Sequence, residues 1–180
     1  LYLKIIKKLS KSKIEYLSSH PMVGSEKSGI RFSKTNMFEN KIVFIIDKNT
    51  VNRRTYDEIN SFWLSIGANT HNINKNKHDD LMAQTSHISH LMSYIFMESL
   101  PQSVIDNNLP LLLGGGIKEH VRLSRSDPRM WSDIFINNKK NIKKSVNVIE
   151  KNISKIKLLI EQSDDKNLRE LLNKIQSKTT

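Results

Sequence analysis

The sequence predicts an α/β segment followed by an all-helical region, with the change near Asn74. Three observations lead there. The run Ile42-Val43-Phe44-Ile45-Ile46 is continuous, apolar and rich in branched side chains, as a buried strand requires. A helical pattern over 53–66 ends at Gly67, a residue suited to the left-handed turn that closes helices. From Lys75 onward the apolar residues recur only at helical spacing.

Taken in order, residues 1–9 have a basic helical pattern. Residues 14–18 read as a short strand running into His20-Pro21. The strand at 41–47 follows. The helix at 53–66 carries Tyr56, Ile59, Phe62, Trp63 and Ile66 on one face. Residues 69–73 suit one more strand. Residues 79–100 form a helix apolar on more than one side, which suits a buried position. Leu109 to Leu113 lead into Gly114-Gly115-Gly116, where the backbone can bend sharply, and a short helix is expected near 117–123. Asp127-Pro128 has the form of a helix start, an Asp cap with Pro in the first turn. The helix it opens is expected to run to about Gln162, with the stripe Ile142, Val146, Ile149, Ile153, Ile156, Ile160. Such a helix, ~50 Å long, exceeds what a small domain covers alone, so a second subunit is expected on it. Residues 164–176 form a last helix.

Composition narrows the function. The 180 residues contain no cysteine, so disulfides, thiolate metal sites and cysteine nucleophiles are excluded. The apolar runs are too short to span a membrane, and a cytoplasmic location is expected. The net charge is +11, but the lysines are scattered among asparagines and isoleucines rather than interleaved with aromatics, so no nucleic-acid partner is expected. No G-x-G-x-x-G fingerprint occurs, and the α/β segment has too few strands for an independent sheet. The first residue is Leu rather than Met, and the chain is expected to be part of a longer one.

Four stretches hold chemically useful groups. Ser19-His20-Pro21-Met22-Val23-Gly24-Ser25-Glu26-Lys27-Ser28-Gly29 places a histidine at a strand end before a glycine-punctuated loop, where an imidazole can act as a base near neutral pH. His78-Asp79 precedes Ser86-His87-Ile88-Ser89-His90, whose two histidines can share a helix face. They lack the spacing and glutamate of a zinc protease, and no metal is expected. Gly114-Gly115-Gly116-Ile117-Lys118-Glu119-His120-Val121-Arg122 ends in a guanidinium that can fork onto a carboxylate or form a surface ion pair. Ser126-Asp127-Pro128-Arg129-Met130-Trp131 combines a helix cap with a tryptophan suited to a core or an interface.

In this order and with these gaps, the stretches resemble the prephenate dehydrogenase family. Its loop reads His-Pro-Met-Ala-Gly-Thr-Glu-x-Ser-Gly. Its helix carries His-Asp and then Ser-His-Leu-Pro-His. Its later segments read Gly-Gly-Gly-Phe-x-Asp-x-Thr-Arg and Ser-Asp-Pro-x-Met-Trp. The resemblance covers nearly the whole chain up to the terminal helices. It departs at Val23 for Ala, Ser25 for Thr, Glu119 for Asp and Ser89 for Pro.

The resemblance implies a fold in which residues 1–74 are the C-terminal remnant of a Rossmann-like dinucleotide-binding domain. Residues 75–180 are then a helical domain for dimerisation and substrate. It implies oxidative decarboxylation of prephenate, or of arogenate, with NAD or NADP as cofactor, in tyrosine biosynthesis. His20 would polarise the ring hydroxyl as base, and Arg122 would bind a substrate carboxylate. His90 would sit by the substrate side chain, Ser25 and Glu26 would line or gate the pocket, and Trp131 would lie near the pocket and the dimer contact. The expected partners are prephenate or a similar acid and a second copy of the chain. The family's dinucleotide loop, and a serine that assists its histidine, would lie before Leu1, so no cofactor-binding residue is expected here. The alternative expectation is a catalytically inactive dimeric remnant that binds an aromatic ligand or has a regulatory role.

Overall fold

The structure, a computed structural model, describes residues 9, 14–24, 31, 34–108 and 115–178. Among them a sheet of three strands forms in the order β1 (Ser18–Pro21), β2 (Ile42–Ile46), β3 (Asn69–Ile73). β2 is central. It pairs antiparallel with β1, setting His20 opposite Phe44, and parallel with β3, setting Phe44 beside His71. Alternation sends Val43 and Ile45 to a fully buried face, while Phe44 lies on the opposite one, only part-buried. Ile42 departs from the expected buried run: it sits at the end of the strand and is 42% exposed.

The strand expected at 14–18 begins only at Ser18. The preceding residues are committed elsewhere. Glu15 accepts from the backbone N–H of Asn52 at 2.9 Å and from its amide at 2.6 Å, and also from the Thr55 hydroxyl. Asn52 in turn caps α1 (Arg53–Ser65) by accepting from the Thr55 N–H. The expected apolar face of α1 is narrower than its pattern: Trp63 packs edge-on against Phe38, whereas Phe62 is mostly exposed. The helix stops as Gly67 predicts. That residue has φ +83°, and a Cβ there would lie 3.3 Å from the Glu39 backbone, so both conformation and space require glycine.

The helical region begins with α2 (Lys75–Met82), which runs through a π-helical turn (Ala83–His87) into α3 (Ile88–Glu98). Its N-terminus is tied to the sheet: Asp47, just past β2, has left-handed φ and accepts the Lys75 N–H at 2.9 Å. The expected helix at 79–100 thus starts earlier and contains a wider turn. It is buried at Met82, Ala83 and Ser93 but leaves Leu81, Ile95 and Phe96 exposed, so it is not buried all round. After α4 (Gln102–Asn108), the expected segment 109–113 and Gly114 lie outside the described residues, as do all but Leu9 of the helix expected at 1–9. The helix expected near 117–123 is α5 (Gly115–Ser124), which packs against α3.

Asp127 caps α6 (Pro128–Asn137) through the Arg129 N–H at 2.8 Å, with Pro128 in the first turn as predicted. The single long helix expected from there is two. It breaks at Asn138, whose φ −108° and ψ 24° leave the helical range, and α7 (Lys139–Glu161) starts afresh. The side chain of Asn138 is bound to groups far away in sequence, which holds the break. The break also separates two compact units, Leu1–Asn138 and Lys139–Thr180. The second is a helical hairpin of α7 and α8 (Asp165–Gln176), the latter capped by Asp164. No helix among the described residues is long and apolar enough to cross a membrane.

Candidate active site

His20 is the natural starting point, because β1 sets it opposite Phe44 and the first turn of α2 brings His78 onto its ring. Its ring meets that of His78 edge-on, with Nδ1 at 2.8 Å from His78 Nε2. Phe44, the cross-strand neighbour of His20, also presses edge-on against His78. On the far side of His78, Nδ1 donates to Asp79 Oδ1 at 3.0 Å, and Asp79 Oδ2 accepts from Lys75 Nζ at 3.0 Å. Burial alone would raise the Asp79 carboxyl, but the bonds from His78 and Lys75 outweigh it and hold the group below its usual value. Burial pushes the His20 imidazole down, and His78 adds to this, so His20 is neutral near pH 7.

The π-helical turn supplies the next group. It inserts an extra residue into the helical phase and sets His87 beside α6. Asn138 donates from Nδ2 to the Asp79 carbonyl at 2.7 Å and to His87 Nδ1 at 3.2 Å. A carbonyl can only accept, so the amide orientation is settled, and His87 must hold its proton on Nε2. Burial, with His78 adding to it, pushes His87 down to about 4. Its titration also responds to His20 and His90, so the four histidines form one electrostatic cluster.

His90 completes the group from α3. Its Nδ1 faces the Ser86 carbonyl at 3.1 Å, and its ring lies flat on Trp131. Burial lowers its pKa; the bond to Ser86 opposes this, and the Arg122 charge adds to it. Arg122 is therefore close to His90, on a half-exposed part of α5, where it binds Glu119 Oε2 through Nε and Nη2. Trp131 is buried, and its Nε1 has no hydrogen-bond partner among the described residues.

Of the predicted site residues, His20, His90, Trp131 and Arg122 thus fall in or beside one cluster. Ser25 and Glu26 lie outside the described residues. Inspection of the sequence missed Asn138, whose bonds to Asp79 and His87 bridge helices distant in the chain. It also missed the pair of Ser93 and His120, joined at 3.1 Å between α3 and α5. A serine in an otherwise apolar helix was the available signal for that pair. Among the described residues no set of three or more histidines and carboxylates could hold a metal ion.

The arrangement can accept a proton at His20, donate from His87 and offer a guanidinium to an anion. The turn from β2 into α1 runs Asp47-Lys48-Asn49-Thr50-Val51-Asn52 without a glycine, unlike the glycine-rich turns that let a backbone approach a pyrophosphate.

Comparison with known proteins gives this cluster a context. The family model for the prephenate dehydrogenase dimerization domain matches residues 74–174, and that for the prephenate dehydrogenase nucleotide-binding domain matches residues 3–72. The chain is 27% identical over 160 residues to the prephenate dehydrogenase of Bacillus subtilis (strain 168), covering 87% of this chain and 43% of that one. It is 25% identical over 122 residues to the cyclohexadienyl dehydrogenase of Zymomonas mobilis, covering 67% and 42%. Among solved structures, Aquifex aeolicus prephenate dehydrogenase in complex with hydroxyphenyl propionate and NAD+ superposes with a TM-score of 0.79 at 29% identity, covering 91% of this chain and 57% of that one. Synechocystis arogenate dehydrogenase, 16% identical, shares the fold with a TM-score of 0.71, covering 91% and 60%. The chain spans less than half the length of the curated relatives it matches. With the dimerization-domain model matched over more than half of its residues, the chain belongs to the prephenate dehydrogenase family.

Proposed function

We propose that this chain is the substrate-binding part of a cytoplasmic, NAD- or NADP-dependent prephenate dehydrogenase of tyrosine biosynthesis. The reaction is the oxidative decarboxylation of prephenate to 4-hydroxyphenylpyruvate. The observation that carries the reading is the packing of His87 and His90 on the buried Trp131, with His20 within electrostatic reach of His87 and Arg122 within reach of His90. Residues 1–74 act as part of the nucleotide-binding domain and residues 75–180 as the dimerisation and substrate domain.

In this reading the neutral His20 hydrogen-bonds the ring hydroxyl and takes its proton as the carbinol carbon is oxidised. Arg122 forks onto a carboxylate of the dianionic substrate, a contact that a planar guanidinium makes better than an ammonium. His90 and Trp131 border the substrate side chain. Oxidation needs a bound dinucleotide, and no residue of this chain is assigned to hold it. The chain's own work is orientation and proton acceptance. Two copies associate through the helical domain.

The test is a thermal melt of the purified chain with millimolar 4-hydroxyphenylpyruvate. The expected result is a raised Tm that Arg122→Ala abolishes, since a ligand bound only to the folded state stabilises it. No shift in the unsubstituted chain would overturn the reading. A catalytically inactive dimeric chain that binds an aromatic ligand or has a regulatory role is the second reading, favoured by the glycine-free turn from β2 into α1. Turnover of prephenate by the purified chain would eliminate it.

A further inference from the structure

We propose that Asp79 and His78 are positioning residues that fix the tautomer of His20, leaving its outward nitrogen, Nε2, as the proton acceptor. This rests on the proposed role of His20 as base and assigns that role to one of its two nitrogens.

The inference follows from counting protons along three groups. Asp79 is ionised near neutral pH, so both its oxygens accept and neither donates. Oδ2 is occupied by Lys75 Nζ at 3.0 Å, and Oδ1 lies 3.0 Å from His78 Nδ1. That nitrogen must therefore carry a hydrogen. With one N–H on the ring and that hydrogen turned to Asp79, the proposed order leaves His78 Nε2 as a bare lone pair. His20 Nδ1 lies 2.8 Å from that lone pair and must donate to it. The His20 proton is then spent on Nδ1, and Nε2 is left to accept. With one hydrogen on the His78 ring, the reverse order fails at the carboxylate: if His78 donated from Nε2 to His20, its Nδ1 lone pair would face a carboxylate oxygen.

The fold holds each link. His20 is fixed by its pairing in β1 opposite Phe44, and Phe44 packs on the His78 ring. The start of α2 is tied to the sheet by Asp47, which accepts the Lys75 N–H. The Asp79 carbonyl is held by Asn138. Without this order His20 would divide between two tautomers, and the one with a hydrogen on Nε2 cannot take a hydroxyl proton. In the proposed step the substrate O–H bond breaks and an N–H bond forms at His20 Nε2. No other proton moves. The resulting imidazolium keeps its bond to His78, and the Asp79 carboxylate, one ring away, offsets its charge.

The experiment is long-range proton–nitrogen NMR on the full chain with nitrogen-15 histidine, at pH 8 and without ligand, with signals assigned through His20→Gln and His78→Gln. The expected result is a protonated Nδ1 and a bare Nε2 on both His20 and His78. Asp79→Ala is expected to leave His20 as a mixture of tautomers. A hydrogen on His20 Nε2 in the unsubstituted chain overturns the proposal, whether or not the variants fold. So does an unchanged His20 signal in a folded Asp79→Ala chain. Because no ligand is present, a wrong tautomer leaves the keto-acid melt untouched. A failed melt with the expected tautomer overturns the binding reading instead.

Discussion

His90 lies flat against Trp131, with ring centroids 3.6 Å apart and planes 21° from parallel. The stack joins α3 to α6 and makes the tryptophan both a core residue and a wall of the histidine cluster. Trp131→Ala is expected to cost about 3 to 5 kcal/mol, as for other buried aromatics cut to alanine, and Trp131→Phe distinctly less. Urea unfolding measures both. The same substitution uncovers the imidazole, so the His90 pKa is expected to move up toward its ordinary value in an NMR titration of the folded Trp131→Phe chain. An unmoved His90 would show that burial by the indole is not what lowers it.

Acid is expected to weaken the fold through His87. Its pKa is 6.5 in the absence of perturbation and about 4 in the folded chain. Between those values the unfolded chain binds the extra proton, so this contribution is complete above pH 6.5 and is lost as the pH falls toward 4. A shift of that size is worth at most ~3.4 kcal/mol, and solvent screening of the part-exposed ring brings the loss to the order of 2 kcal/mol. His20 and His90 are also lowered and act in the same direction. Asp79, already held below its ordinary value by His78 and Lys75, contributes only at lower pH. Urea midpoints between pH 7 and pH 4 are expected to fall steeply in the unsubstituted chain and less steeply in His87→Gln. Equal slopes in the two would remove His87 as the cause.

The hairpin of α7 and α8 leaves an apolar surface uncovered within one chain. Ile142 is buried, but further along the same stripe Ile153 and Ile160 are each more than half exposed. An uncovered seam at coiled-coil spacing is unfavourable in water and suits a second copy, as proposed for the helical domain. Sedimentation is expected to give a dimer for the unsubstituted chain and a predominant monomer for Ile153→Lys/Ile160→Lys at the same concentration. A dimer that survives both lysines would place the contact elsewhere.

What could be read from residues alone was local. The stop at Gly67, the cap at Asp127 with Pro128 behind it, and the strand Ile42–Ile46 depend on neighbours within a few positions, where side-chain spacing and backbone preference decide the outcome. The four marked stretches were legible in the same way, as motifs with fixed internal spacing. Tertiary structure alone decided what those stretches do to one another. The break at Asn138 is invisible to helical periodicity, because its amide is held by Asp79 and His87, 59 and 51 residues away. The π-helical turn differs from an ordinary one by a single residue, too little to disturb a pattern of apolar positions. The order Asp79, His78, His20 requires a strand and a helix separated by 58 residues to meet within hydrogen-bond distance, and only packing sets that distance. Sequence thus determined which groups were available, and the long-range hydrogen bonds decide which nitrogens of His20, His78 and His87 face a partner.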